Sequence, residues 1–216
     1  VSATNLYVGR VISLGTLIAV YLSTSDEMIP VFLAENMGVN VIIKVLAIKV
    51  FIGMIMGVIL DFIFQNQHGE HQIAHMCEHD HCHCEEGIVK SSIRHTVNIT
   101  LFIFVIGLFL NSLIALIGEE TISHFILNKP ILGPIIAGMV GLIPNCAASV
   151  ILAELYIGNL ISAGTMIAGL LVGAGVGLLV LVKENRNRKE NIKVISILYF
   201  SGVIFGILLE LLGLTL

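Results

Sequence analysis

The sequence predicts an all-α membrane protein, a polytopic bundle of transmembrane helices that contains an internal repeat and discontinuous helices. Apolar residues make up 56% of the 216-residue chain and charged residues only 12%, whereas globular chains carry roughly 25% charged residues. Several apolar stretches reach the roughly 20 residues that a helix needs to cross the hydrocarbon of a bilayer. The two halves of the chain also resemble each other, which indicates a duplicated fold.

Four apolar stretches predict uninterrupted spans, and two others predict interrupted ones. The uninterrupted stretches are residues 41–64, 96–117, 160–182 and 194–212. Residues 11–34 contain a polar run from Ser23 to Glu27 and then Pro30, which breaks a helix. Residues 131–157 are interrupted at Pro144, and each arm has about a dozen residues, roughly 18 Å of helix. That stretch is therefore either one broken span or a re-entrant hairpin.

The second half of the chain repeats the first at a distance of 149 positions. With this shift, 23 of 67 aligned residues are identical. We divide the chain into the remainder of a first repeat (residues 1–67), a loop (68–90) and a second repeat (91–216). The first copy begins at Val1, with no counterpart of the Pro144 segment, so we expect the first repeat to be N-terminally incomplete.

The relative orientation of the two copies depends on how residues 131–157 cross the membrane. The copies are parallel if that stretch spans and inverted if it is re-entrant. The aligned loops carry unequal basic charge, because Arg186, Arg188, Lys189 and Lys193 align with a segment that contains only Lys44. Inversion places aligned loops on opposite faces and predicts this inequality. The sequence therefore favours inverted copies. The loop of residues 65–90 would then lie in the cytoplasm.

That loop is rich in metal-ligating side chains. Imidazole and thiolate groups bind zinc and related divalent ions, so this density predicts a metal site whose preferred ion the sequence does not specify. A merely solvated loop and a disulfide in an oxidising compartment are the alternatives. The predicted ligands are His71, His75, Cys77, His79, His81, Cys82, His83 and Cys84.

A first intramembrane site is predicted at the polar run of residues 23–27. A carboxylate within hydrocarbon is costly and usually faces a cation pathway. The aligned segment of the second copy is rich in glycine, which can leave backbone carbonyls available to an ion. Alternatively, the helix ends early and Asp26 lies at the interface. The predicted residues are Ser23, Thr24, Ser25, Asp26, Glu27, Gly173 and Gly175.

A second intramembrane site is predicted where residues 131–157 are interrupted. Proline frees backbone carbonyls, an asparagine supplies an amide oxygen and a cysteine supplies the one thiol of the predicted spans. A proline kink with a small packed cysteine is the alternative. The predicted residues are Pro144, Asn145, Cys146, Ser149 and Glu154. Since no catalytic or phosphate-binding motif is recognisable, we do not expect an enzyme.

Four segments resemble the family of ten-helix heavy-metal exporters, an arsenic-permease-like group that is also described as manganese transporters. They are LSTSDEMIPVFLAE, CEHDHCHCEEGI, GLIPNCAASVILAELY and GLLVGAGVGLLVLVKEN. The resemblance covers essentially the whole chain and implies a transporter that moves a metal or metalloid outward. In that family the first half carries a proline-cysteine motif equivalent to the segment from Pro144 to Cys146. This sequence lacks that motif, so one half of a shared site is not seen.

The expected function is therefore gradient-driven export of a heavy-metal ion or metalloid. A manganese-like divalent cation is favoured, and an arsenic species is the other candidate. No cofactor is required, because the metal ion is the substrate and a ligand of the loop. The expected partners are the lipid bilayer and the ion, a homo-oligomer is left open, and a net charge of −4 argues against nucleic acid. The expected location is the cytoplasmic membrane of a prokaryote, crossed several times.

Two other classes of function remain compatible with the residues. In one, the chain is a membrane-anchored metal sensor or storage protein, and the loop is its working part. In the other, it is a membrane thiol oxidoreductase that uses Cys82 and Cys84. A membrane anchor for a sensor or storage loop does not require acidic residues or duplicated broken helices within the membrane.

Overall fold

The computed structural model describes residues 1–24, 28–64, 131–185 and 187–213, together with scattered residues between 97 and 112. The described residues form helices joined by short turns, without a β-strand among them. The helices are α1 (Ser2–Val8), α2 (Leu14–Ser23), α3 (Met28–Ala34), α4 (Val39–Ile63), α5 (Leu132–Gly141), α6 (Cys146–Ile157), α7 (Ala163–Val172), α8 (Val176–Glu184) and α9 (Arg188–Leu211).

Within the described parts of the chain, four segments are long and apolar enough to cross a membrane. They are Leu14–Ala34 (α2 with α3), Val39–Ile63 (α4), Ala163–Glu184 (α7 with α8) and Arg188–Leu211 (α9). Large apolar side chains on α4 and α9 are exposed, as expected of surfaces that face lipid rather than water. They include Phe51, Met54, Phe62, Phe200 and Ile204. The prediction of an all-helical membrane protein is confirmed at this level.

The helix bounds differ from the predicted spans at two places, and one span cannot be compared. The last helix begins at Arg188, six residues before the predicted start, because the Oδ1 atom of Asn187 accepts a hydrogen bond from the amide of Glu190 and caps it. The predicted uninterrupted span of residues 160–182 is two helices, α7 and α8. The predicted span of residues 96–117 and the loop of residues 68–90 lie largely or wholly outside the described residues.

Two helix pairs, α2 with α4 and α7 with α9, pack closely at glycines that are 149 positions apart. A Cβ atom at Gly53 would lie 2.9 Å from the carbonyl oxygen of Ala19, and a Cβ atom at Gly202 would lie 3.1 Å from that of Ala168. Both distances are too short for an ordinary contact, so glycine is required for the backbones to approach. Small residues at helix interfaces allow this close packing in membrane proteins.

The starts of α2 and α7 are also capped alike. The side chain of Ser13 accepts a hydrogen bond from the amide of Thr16, and that of Ser162 accepts one from the amide of Thr165. A carboxylate from the partner helix adds a second contact at each start. Asp61 accepts a hydrogen bond from the amide of Gly15 at 3.1 Å, and Glu210 is hydrogen-bonded to Ser162. Acidic groups at helix starts complement the helix dipole, which explains their position at the ends of α4 and α9.

Contacts between the halves show which helix ends lie together. Glu190, in the first turn of α9, accepts hydrogen bonds from both terminal nitrogens of Arg10, at 2.6 and 2.8 Å. The Nζ atom of Lys193 lies 3.6 Å from the centre of the Phe64 ring, just beyond α4. The start of α9 therefore lies at the same end of the bundle as the start of α2 and the end of α4. We call it the Arg10 end.

The opposite end of the bundle is marked by a contact between aromatic rings. Phe32, near the end of α3, lies 6.4 Å from Tyr156, near the end of α6, as measured between ring centres. Since α7 follows α6 after a short turn, α7 starts at this end, where α3 finishes. We call it the Phe32 end.

Helices α5 and α6 form a hairpin beside α7. Near the start of α5, a Cβ atom at Gly133 would lie 2.5 Å from the hydroxyl of Thr165 in the first turn of α7, whereas Gly141 at the end of α5 contacts Gly169. Helix α5 thus runs along α7 from the Phe32 end into the bundle.

Helix α6 returns in the opposite direction. Its first turn places the Ser149 hydroxyl 3.5 Å from a Cβ atom built at Gly173, just beyond the end of α7. One turn later, Leu152 contacts Gly169, and Tyr156 then reaches the Phe32 end. The tip of the hairpin, residues 142–145, therefore lies at the depth where α7 ends.

The close approach of α7 and α9 predicts the effect of a small substitution. Replacing Gly206 with alanine would place a Cβ atom against Ala168 and 3.0 Å from the carbonyl oxygen of Gly164. We expect the free energy of unfolding to fall by about 1–3 kcal/mol, the usual cost of overpacking, measured by denaturant titration in detergent. Gly38→Ala is the matched control, because no described atom lies within 4 Å of a Cβ there. Equal stability of the two variants would contradict this packing.

Candidate functional site

The first helix break separates α2 from α3. Helix α2 ends at Ser23 and α3 begins at Met28, which agrees with the interruption predicted from the sequence. The hydroxyls of Ser23 and Thr24 both donate to the carbonyl oxygen of Val20, at 3.2 and 2.8 Å, and so help to end α2. Ser25, Asp26 and Glu27 lie outside the described residues, so their assignment to a transport path stays a prediction.

The second helix break separates α7 from α8, where the sequence predicts an uninterrupted span. Gly175 has φ 52° and ψ −138°, a conformation that side chains with a Cβ atom disfavour. The amide of Ala174 bonds to the carbonyl of Val172 at 2.7 Å instead of to Leu170, four residues back. The chain therefore turns at these glycines. The amide of Ala174 bonds to Val172 and does not make the helical hydrogen bond to the Leu170 carbonyl.

Lys49 lies between the two breaks and is completely buried. Its Nζ atom donates to the carbonyl oxygen of Leu170 at 3.1 Å and to that of Thr24 at 3.4 Å. One ammonium group thus contacts the end of α2 and the end of α7. Ten residues separate Lys49 from the start of α4, a depth of roughly 15 Å along the helix, which is near the middle of a bilayer.

Sequence reasoning missed Lys49. The available signal was a basic residue in the middle of an apolar stretch, at a position where the second copy has Leu198, which is also buried. Lys44 lies only five residues earlier on α4 and is exposed. The sequence does not distinguish these lysines, because the carbonyls that Lys49 reaches come from other helices.

The hairpin tip brings part of the second predicted site to the α7–α8 break. Asn145 is buried, and its Oδ1 atom accepts a hydrogen bond from the amide of Ala147 at 3.3 Å, so the predicted amide oxygen caps α6. Ser149 is buried beside Gly173. Pro144 is partly buried at the tip.

The other two residues of this predicted site are not placed at the break. Cys146 begins α6, but its side chain lies outside what the structure describes. Glu154 is exposed and lies further along α6, towards the Phe32 end.

A buried polar contact fixes the start of α8 just beyond the break. The hydroxyls of Thr4 in α1 and Tyr21 in α2 lie 2.8 Å apart. They contact the carbonyl oxygen of Gly177 at 3.3 and 3.0 Å. The first half of the chain therefore contacts the second half at Gly177, two residues beyond Gly175 in the α7–α8 break.

A cavity of about 640 Å³ lies at the Arg10 end, between α1, α2 and α4. Its polar lining consists of Tyr7, Arg10, Ser13, Thr16 and Asp61. The hydrogen bonds to Glu190 raise the pKa of Arg10, so this guanidinium stays charged. The cavity lies beside the first turn of α2, whereas Thr24 and Lys49 are at the other end of that helix.

The described residues contain no group of three histidine, cysteine or acidic side chains that could hold a metal ion. The predicted ligands between His71 and Cys84 all lie outside the described residues, so the metal-binding loop stays a prediction. Among the described residues, Lys49 brings together two backbone carbonyl oxygens at the breaks, those of Thr24 and Leu170.

The apolar helices define a helical membrane protein. Comparison with known proteins does not narrow this class, because no family model, no curated protein and no solved structure matches the chain.

Proposed function

We propose that the chain is an integral membrane transporter that exports a heavy-metal ion or metalloid, driven by an ion gradient. The observation that carries the proposal is the pair of broken helices, α2–α3 and α7–α8, whose ends both contact the buried Lys49. Irregular backbone at membrane depth is tolerated only where it is buried in protein or lines a cavity. Transporters bind their substrates at such breaks.

The proposal includes an inverted repeat. The pairs α2–α4 and α7–α9 use glycines and serine caps at positions 149 residues apart. Helix α9 aligns with α4, yet α9 starts at the Arg10 end, where α4 finishes. Equivalent helices therefore run in opposite directions between the two ends, which supports inverted copies and a re-entrant hairpin of α5 and α6.

The distribution of charge supports a cytoplasmic Arg10 end. Basic residues near this end are Arg10, Lys183, Arg188, Lys189 and Lys193, whereas Lys44 is at the start of α4, at the Phe32 end. Basic residues are enriched in cytoplasmic loops. The loop that follows α4 would then face the cytoplasm of a prokaryotic cell, where its histidines and cysteines could collect the ion.

The favoured substrate is a manganese-like divalent cation. Helices α2 and α7 both end at the breaks, and helix C-terminal ends carry partial negative charge. Asp26 and Glu27 follow α2 in the sequence and would add carboxylate oxygens, which suit manganese. An arsenic species is the other candidate, because Cys146 could supply a thiolate.

Cell growth at increasing metal concentrations tests the function. Cells that express the protein are expected to tolerate more Mn²⁺ than cells with an empty vector, because exported ion does not accumulate. The panel includes Zn²⁺, Cd²⁺ and arsenite, so that it also identifies the substrate. Unchanged tolerance to every member of the panel, with the protein present in the membrane, would argue against export.

Cysteine labelling tests the inverted topology. In a chain whose four native cysteines are replaced by serine, we expect an impermeant maleimide to label Glu35→Cys, in the turn between α3 and α4, in intact cells and Lys189→Cys only after lysis. Both positions are exposed in the structure, so each is a matched control for the other. Labelling of both positions from the same side would contradict inversion, and the reverse pattern would contradict a cytoplasmic Arg10 end.

The main alternative is a membrane-anchored metal sensor or storage protein, and the density of histidine and cysteine in residues 68–84 favours it. Such a protein would lose all function when this loop is deleted. A transporter would keep moving the ion through the broken helices with an altered affinity. Deletion of the loop therefore separates the two functions.

A further inference from the structure

The ammonium group of Lys49 lies where the C-terminal ends of two half-helices converge. Thr24 is the C-cap of α2, and Leu170 is two residues before the end of α7. Their carbonyl oxygens accept hydrogen bonds from Nζ at 3.4 and 3.1 Å. Because each helix C-terminus carries about half a negative charge, the two ends together suit a single positive charge.

This arrangement is costly, and the aligned position in the other half of the chain carries no charge. An ammonium group buried at mid-membrane loses its hydration, and intramembrane lysines are rare for that reason. The second repeat fills the aligned position with Leu198, which is fully buried without any charge. Packing alone therefore does not require a lysine at this position of the repeat.

The described contacts of Lys49 have the properties of a cation site, because two backbone carbonyl oxygens accept hydrogen bonds from its ammonium group. Carbonyl oxygens at the ends of broken helices are the groups that coordinate ions in other membrane transporters. Here a cation already occupies them, and it is tethered to α4 by the lysine side chain. A second positive charge brought to the same oxygens is repelled by the first, strongly so in a medium of low dielectric constant.

We propose that the Lys49 ammonium is a resident cation that occupies the carbonyl site between the two helix breaks, and that the transported cation displaces it. The two cations then exclude each other, so the helix ends are joined by Lys49 when substrate is absent. The displacement rests on the proposed function, whereas the occupancy of a cation site by Lys49 does not.

Chemical rescue tests the occupancy. The Lys49→Ala protein, purified whole in detergent, should unfold at a lower temperature than the wild type, and methylammonium chloride should recover at least half of the loss. Sodium chloride at the same concentration should recover much less, because methylammonium matches the missing group. Lys44→Ala, on the same helix and exposed, should show neither loss nor rescue. Failure of methylammonium, or equal rescue by both salts, would overturn the occupancy.

Binding of Mn²⁺ tests the displacement. The Lys49→Met protein, which keeps a long side chain without the charge, should bind Mn²⁺ at least tenfold more tightly than the wild type, and Lys44→Met should not. If Lys49→Met does not fold, methylammonium should weaken Mn²⁺ binding to Lys49→Ala competitively. Unchanged or weaker binding by Lys49→Met, or a lack of competition, would overturn the displacement.

The two claims can fail separately. A wild-type protein that neither binds nor moves Mn²⁺ would contradict the proposed manganese substrate and the displacement with it. The methylammonium rescue would still decide whether Lys49 fills a cation site.

Discussion

Cells that express the Asp26→Asn protein are expected to lose the metal tolerance that the wild-type protein confers. In the sequence, Asp26 falls between Thr24, whose carbonyl Lys49 contacts, and Met28, the first residue of α3. Losing one charged ligand costs on the order of 3 kcal/mol, about a hundredfold in affinity. Tolerance should therefore fall to the level of the empty vector.

Asp61→Asn is the matched control for this variant. Asparagine is nearly isosteric with aspartate and keeps an oxygen that can accept the hydrogen bond from the amide of Gly15 at the start of α2. The control protein should retain tolerance, because Asp61 lies at the Arg10 end and not at a helix break. If the Asp26→Asn cells kept full metal tolerance at matched protein levels, Asp26 would not be part of the transport path.

Replacing Gly169 with leucine is expected to detach the hairpin of α5 and α6 from α7. A Cβ atom at Gly169 would collide with Leu152 of α6 and lie 2.9 Å from the carbonyl oxygen of Ala137 of α5. No single side chain can move to relieve both contacts, because one of them is backbone. We expect a loss of stability at or above the upper end of the 1–3 kcal/mol range for overpacking, measured by thermal unfolding in detergent, and loss of metal tolerance.

Gly173→Ala is the control for that substitution. Its φ of −66° is ordinary for any residue, and the nearest atoms to a Cβ would lie at 3.4 and 3.5 Å. This variant should fold with nearly wild-type stability. If Gly169→Leu were as stable as Gly173→Ala, the hairpin would not pack against α7 as described.

The three interruptions differ in how visible they are in the sequence. Two of them are predicted by the polar run that starts at Ser23 and by the proline at position 144, since both residue types disfavour a helix interior. The break after Val172 is hidden, because glycines within an apolar stretch also occur in intact transmembrane helices. The structure shows the break, because α7 ends at Val172 and Gly175, which has a positive φ, immediately precedes the start of α8.

The contacts around Lys49 could not be predicted, because they depend on where helices from the two halves of the chain meet. The side chain leaves α4 and reaches carbonyls of α2 and α7, which are 25 and 121 positions away in the chain. Periodicity places a residue on a helix face but does not identify the neighbouring backbone. The predicted thiol and carboxylate ligands, in contrast, follow from residue type alone.

The relative direction of the repeats likewise depends on contacts between them. Counting basic residues over the whole chain does not decide between parallel and inverted copies, because either arrangement places eight on one face and three on the other. The relative direction is inferred instead from two contacts, that of Arg10 with Glu190 and that of Lys193 with Phe64. They bring residues from the two repeats together, which alignment of the repeats does not reveal.

Uptake of Mn²⁺ by everted membrane vesicles tests the central claim most directly, since it follows passage of the ion past the helix breaks. The account predicts uptake that requires an imposed ion gradient, continues when residues 68–84 are deleted, and disappears in Asp26→Asn. Vesicles that take up no Mn²⁺, or that lose uptake on deletion of the loop while Asp26→Asn remains active, would contradict it.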